Sequence, residues 1–271
     1  MSESFSSSMR GGFLCLDRED FGKAVKLFKK AAELEPANSD AWFYLGEAYK
    51  EDKKLDRAIE CFKRVLNINS KNSTAWLELG ETHGLKGNSE EQIKCFETAT
   101  QADPENHVAW FALGGAYGEN GQYENARKSY EKALSLDENF FEAWYNLGVT
   151  NGMEGNHDKE IERYRKALEI EPSYTLAWMN LGVEYGRRND HGREIVCYEA
   201  VLSLDRKNAL GWYNIAMAYL NINQDRKALY GFEEAFKLGL KSAKEEIHKL
   251  RKKRVEPEGV KVNPRSIKDL A

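Results

Sequence analysis

Six tryptophans occur in this chain, at Trp42, Trp76, Trp110, Trp144, Trp178 and Trp212, and each stands 34 residues from the next. A constant period of that size marks a tandem array whose units are each too small to bury an apolar face alone and must stack on their neighbours. Any binding surface of such an array is shared among several units.

The rest of the unit recurs in register with the tryptophan. Leu45-Gly46, Leu79-Gly80, Leu113-Gly114, Leu147-Gly148 and Leu181-Gly182 follow it by three and four residues, with Ile215-Ala216 as a looser last copy. Twenty residues after it comes an aromatic: Phe62, Phe96, Tyr130, Tyr164, Tyr198 or Phe232. Apolar residues such as Ile93, Phe96 and Ala99 keep the spacing of one helical face. Gly87, Gly121, Gly155, Asn189 and Asn223 stand between the two helical stretches, and these residue types accept the left-handed conformation that ends a helix. The unit therefore reads helix, turn, helix. Its Leu-Gly glycine lies inside a helix, where glycine costs about 1 kcal/mol relative to alanine. It is expected to permit a close helix contact, with Ala58 and Ala126 as the small facing residues. Gln92, Glu160 and Glu194 replace that alanine in three units, and their stems are expected to pack over the facing glycine. His157 and His191 are read as partial packing at the start of the second helix.

This pattern resembles the tetratricopeptide repeat. The resemblance covers about residues 5–240 and implies an all-α fold, a right-handed α-α superhelix (solenoid) of seven tandem units. The units fall at about 5–38, 39–72, 73–106, 107–140, 141–174, 175–208 and 209–240. The first is worn, with Ser8 for the tryptophan and Gly11-Gly12 for Leu-Gly, as expected of a terminal unit with one neighbour. A capping helix is expected at 241–254 and an extended basic tail at 255–271.

Composition narrows the class. With 31% charged residues, a mean hydropathy of −0.68 and no run of about 18 apolar residues, no membrane span is expected. The first residues lack the basic-then-apolar pattern of a secretory signal, and the four cysteines show no metal or disulfide spacing, so the expected location is cytoplasmic. Residues 241–271 hold ten Lys/Arg against five Asp/Glu. That basic run reads as a solvated, dipole-compatible helix end, and nucleic acid is not expected as a partner. No catalytic or phosphate-binding motif occurs, so no enzyme activity, cofactor or metal is expected.

The resemblance places ligands on the first helix of each unit, at positions flanking the tryptophan. There the early units offer Asp40, Glu47 and Glu81. The last three offer Asn146, Asn180 and Asn214 beside Tyr145, Val149, Met179, Val183, Tyr213 and Met217. A carboxamide presents one acceptor and two donors, so an evenly spaced row of them suits the main chain of an extended peptide. The row is similar to the asparagine ladder in the tetratricopeptide superhelix of O-GlcNAc transferases, although no glycosyltransferase domain accompanies it. The two-carboxylate clamp of chaperone-binding members is absent, because aromatic or aliphatic residues occupy the position of its first lysine. These features predict a non-enzymatic scaffold or adaptor that binds a peptide segment of a partner in its groove. The alternatives are a self-assembling structural protein and a regulatory subunit of an enzyme supplied in trans.

Overall fold

The computed structural model describes residues 4–255 and, among them, contains fifteen α-helices and no strand. The chain divides into two compact units, residues 1–163 and 164–271. The first holds α1 (Phe5–Leu16), α2 (Phe21–Leu34), α3 (Ser39–Glu51), α4 (Leu55–Ile68), α5 (Ser73–Leu85), α6 (Ser89–Ala102), α7 (His107–Glu119), α8 (Tyr123–Leu136) and α9 (Phe141–Met153). The division falls inside α10 (His157–Ile170). The second holds α11 (Thr175–Arg187), α12 (His191–Leu204), α13 (Ala209–Asn221), α14 (Asp225–Lys237) and α15 (Ala243–Val255). Consecutive helices pack on one another from α1 to α9 in the first unit and from α11 to α15 in the second. Helical hairpins stacked in this way form an α-α solenoid, the all-α class that the 34-residue period implies. In the second unit, Ala243, Ile247 and Leu250 of α15 are buried in one cluster with Leu229 and Phe232 of α14. Of the segment read as an extended tail, Val255 ends α15 and residues 256–271 lie outside the described residues.

The turn inside each hairpin keeps one register through seven copies. Glu19, Lys53, Gly87, Gly121, Gly155, Asn189 and Asn223 all have φ between 57° and 78°. Five of these are residues whose type announces the conformation; Glu19 and Lys53 adopt it against the usual Cβ penalty. The connection between hairpins is held by the tryptophans. Each indole Nε1 donates to the carbonyl six residues earlier, at 2.8–3.0 Å: Trp42 to Pro36, Trp76 to Ser70, Trp110 to Pro104, Trp144 to Glu138, Trp178 to Pro172 and Trp212 to Arg206. The indole N–H of each half-buried ring is a donor only, and a main-chain carbonyl supplies its acceptor whatever the side chain there. Four of the following helices are capped by an asparagine: Asn38, Asn72, Asn106 and Asn208 each accept from a backbone N–H of the first turn.

The structure corrects the expected role of the Leu-Gly glycine. A Cβ on Gly46 would lie 2.7 Å from the Phe62 ring, and one on Gly114 would lie 2.7 Å from Tyr130. Gly80 meets Phe96 and Gly182 meets Tyr198 in the same way. The glycine thus makes room for the large aromatic of the second helix, not for alanine. Gln92, Glu160 and Glu194 do pack over glycines, but over a second set four residues on: Gly84, Gly152 and Gly186. A long side chain on one helix is matched by the loss of one on the other. Glu160 and Glu194 are buried, and each is held by the Nδ1 of a histidine three residues earlier, His157 at 3.0 Å and His191 at 2.7 Å. The histidines therefore satisfy buried carboxylates in addition to packing.

Candidate peptide-binding surface

The positions that flank the tryptophans lie on α3, α5, α7 and α9 in the first unit and on α11 and α13 in the second. Their packing follows a rule set by the helix spacing. The residue after the tryptophan meets the second-helix aromatic of its own hairpin: Phe43 stands 5.8 Å from Phe62, Phe111 5.7 Å from Tyr130 and Tyr213 5.3 Å from Phe232, ring centre to ring centre. The next residue meets the aromatic of the preceding hairpin: Tyr44 is stacked on Phe28 at 5.9 Å, and Asn214 hydrogen-bonds the Tyr198 hydroxyl. Burial holds the Tyr198 phenol well above its ordinary pKa, and the Asn214 contact pulls the other way.

In the first unit the early acidic positions form a cluster around one cation. Lys50 of α3 ion-pairs with Glu78 of α5 and, at 3.1 Å, with Glu81. The Lys50 side chain is only 14% exposed, so this pair works in a partly dry setting. Burial pushes the Glu47 carboxyl up to about 7, and the neighbouring Glu78 charge adds to that rise. Asp40 takes a different role at the start of α3, where the Ser39 hydroxyl donates to it at 3.4 Å. Farther along the same unit, Asn146 and Val149 of α9 line an open cavity of about 320 Å³ with Tyr130, Gly118 and Met153. The residues missed by sequence reasoning are Lys50, Gly118 and Met153. Lys50 and Gly118 share a register eight residues after the tryptophan, where glycine stands in four hairpins, so Lys50 was visible as a departure.

In the second unit, Met179 and Asn180 of α11 are half-buried, while Val183 is 38% exposed. On α13, Asn214 is half-buried, and Tyr213 and Met217 pack against the cluster that contains Ala216, Ala228 and Phe232. Tyr145, in the first unit, is half-buried as well. The predicted apolar residues thus share their surface between solvent and core. Among the described residues no helix is long and apolar enough to cross a membrane.

The described asparagines and tyrosines are coupled in sequence. Tyrosine stands at the second-helix aromatic position in Tyr130, Tyr164 and Tyr198, and sixteen residues later stand Asn146, Asn180 and Asn214. Where phenylalanine takes that position, in Phe28, Phe62, Phe96 and Phe232, the residue sixteen on is Tyr44, Glu78, Ala112 or His248. In the structure the Tyr198 hydroxyl meets the Asn214 carboxamide, while Tyr130 and Asn146 line one cavity.

Comparison with known proteins places this geometry. Tetratricopeptide-repeat family models match residues 16–81, 73–106, 95–128, 141–174 and 176–208, and a TPR repeat model matches 115–155. No curated protein sequence matches the chain. Among solved structures, MamA is 27% identical, with a TM-score of 0.57 over 61% of this chain and 97% of that one. The C-terminal part of a TPR repeat-containing protein from Cytophaga hutchinsonii has a TM-score of 0.70 at 18% identity, over 88% of this chain and 98% of that one. YrrB, described as a TPR protein with an unusual peptide-binding site, has a TM-score of 0.56 at 23% identity, over 68% of this chain and 95% of its own.

Proposed function

We propose that this chain, which carries tetratricopeptide repeats over residues 16–208, is a non-enzymatic scaffold that holds a peptide segment of a partner protein on its first-helix surface. Proteins of this fold serve in general as protein-interaction modules, and the YrrB neighbour is described as having a peptide-binding site. The finer reading is that Asn146, Asn180 and Asn214 act as a hydrogen-bonding rail for the peptide main chain, as in an asparagine ladder. Tyr145, Val149, Met179, Val183, Tyr213 and Met217 supply adaptable apolar contact. The observation that supports it best is the repetition of a half-buried carboxamide at one register of α9, α11 and α13, with the exposed Val183 beside it. A carboxamide presents one acceptor and two donors, which suits the alternating donors and acceptors of a peptide main chain.

The test must separate ligand binding from the local role of the asparagines. Peptides selected on the folded protein from a random displayed library would be measured by calorimetry. The background carries Tyr130→Phe, Tyr164→Phe and Tyr198→Phe, so that no hydroxyl is orphaned. Adding Asn146→Ala, Asn180→Ala and Asn214→Ala to that background is expected to weaken binding by about ten-fold or more, since each lost hydrogen bond costs about 0.5–1.5 kcal/mol. Equal affinity with and without the asparagines would refute the rail.

A further inference from the structure

The second unit carries a feature that the groove reading does not use. Helices α12, α13 and α14 enclose an open cavity of about 500 Å³. Trp212 and Tyr219 of α13 form part of its wall, and Tyr230 of α14 stands edge-on to Trp212 with ring centres 5.6 Å apart. Three cations line it as well: Arg206, Arg226 and Lys227. The Lys227 ammonium sits 4.9 Å over the Tyr219 ring. The single carboxylate there, Glu199, accepts the Tyr219 hydroxyl at 3.3 Å. Among the described residues no carboxylate forms an ion pair with Arg206 or Arg226.

The other hairpins serve as internal controls, because each presents the same positions. Eighteen residues after the tryptophan they carry Glu60, Lys94, Lys128 and Glu162, ordinary charged surface residues. The last two carry Val196, 57% exposed, and Tyr230, 50% exposed. Fourteen residues after the tryptophan stand Asp56, Glu90, Glu124 and Asp158, each in the first turn of its helix, where the helix dipole favours an anion, and Gly192 stands there in α12. Arg226 reverses that sign. The one acid left in the first turn of α14, Asp225, is paired with Lys253 at 2.9 Å. Six residues before the tryptophan, where only the carbonyl is needed by the indole, the other hairpins have proline, serine or glutamate and the last has Arg206. Solubility favours neither exposed Val196 nor exposed Tyr230, and helix stability opposes Arg226 in the first turn of α14. Arg206, Arg226 and Tyr230 coincide at one cavity, while Val196 lines the equivalent cavity of the preceding hairpin beside Trp178, Tyr185 and Arg193.

We infer that this cavity binds an acidic peptide segment of a partner protein through one bulky apolar side chain. The aromatic wall takes the side chain, and Arg206, Arg226 and Lys227 take the flanking carboxylates. Charge complementarity favours this occupant, since Arg206, Arg226 and Lys227 line the cavity against Glu199 alone. Nucleic acid is favoured less, because the cations cluster at one cavity with Glu199 among them and do not form a phosphate-tracking stripe.

The probe is a fluorescein-labelled peptide of Glu and Ser with one central Phe, followed by anisotropy against the full chain. The controls are the same peptide with Ser in place of Phe, a Lys-rich peptide with Phe, and oligothymidylate. The acidic Phe peptide is expected to bind at least about ten-fold more tightly than each control. Tyr230→Lys and the pair Arg206→Ser, Arg226→Glu introduce residues that other hairpins already tolerate at these positions. Each is expected to weaken binding about five-fold or more with the melting temperature retained. The inference is overturned by absent binding, by equal binding without the Phe, or by variants that fold and bind as the parent does. Tighter binding of oligothymidylate overturns it in favour of a nucleic acid. Self-association in light scattering that these variants abolish overturns it in favour of a second copy of the chain.

Discussion

The Asn214 side chain hydrogen-bonds the hydroxyl of Tyr198, a residue only 2% exposed on the preceding hairpin, so one contact both ties two hairpins together and satisfies a buried polar group. Asn214→Ala alone leaves that hydroxyl without its partner and is expected to destabilise the chain by about 1–3 kcal/mol. Tyr198→Phe with Asn214→Ala removes both partners and should recover most of the loss. Denaturant unfolding of the two single variants and the double variant checks this, and additive losses would mean that the contact carries no coupling.

Gly46 offers a sharper stability test. Alanine gains about 1 kcal/mol of helix propensity over glycine, but its Cβ would sit 2.7 Å from the buried Phe62 ring. Overpacking of that kind costs about 1–3 kcal/mol. Gly46→Ala is therefore expected to be net destabilising, and Gly46→Ala with Phe62→Leu should be less so than the sum of the two changes. A Gly46→Ala protein that melts higher than the parent would show that the ring moves freely.

Glu47 predicts a pH dependence. Its carboxyl is raised from an ordinary 4.5 to about 7 in the folded chain. Below about pH 4.5 it is protonated in both folded and unfolded states and contributes nothing. Between about 4.5 and 7 the unfolded chain releases the proton first, so stability from this group falls as pH rises, and the penalty is complete above 7. Glu47→Gln is expected to raise the melting temperature at pH 8 and to leave it near the parent value at pH 4. The same increment at both values would rule out titration of Glu47 as the cause.

Thiol chemistry separates the cysteines. Burial pushes Cys61 up to about 12, Cys95 up to about 11 and Cys197 up to about 12, and only a thiolate attacks a disulfide reagent. Cys15 is the one part-exposed thiol of the four. At pH 8 one fast equivalent per chain is expected with an aromatic disulfide reagent, lost in Cys15→Ser, with three more after denaturation. Fast reaction of a second thiol would reveal local opening around one of the second helices.

Much of this arrangement was legible in the residues because the repeat supplies its own reference. The tryptophan period, the second-helix aromatics and the turn glycines and asparagines each announce a backbone requirement through residue type. Glu19 and Lys53 were not legible, since nothing in their chemistry favours a positive φ; only their register shared with Gly87 reveals it. The partner of the Leu-Gly glycine was misassigned because spacing says which residues share a face and not which side chain crosses to the other helix. The Tyr198–Asn214 pairing was in principle visible as a sixteen-residue coincidence between hydroxyl and carboxamide. The Lys50 cluster depends on α5 packing beside α3, a tertiary fact that no local pattern carries.

The uniform indole-to-carbonyl bonds have an optical consequence. Each tryptophan reports on the linker just before its own hairpin, in nearly the same hydrogen-bonded setting at six places. Substituting five of the six by phenylalanine leaves one fluorophore whose emission shifts when its own joint loosens. A set of six such chains would read the order in which the stack melts, joint by joint, from a signal that the molecule already contains.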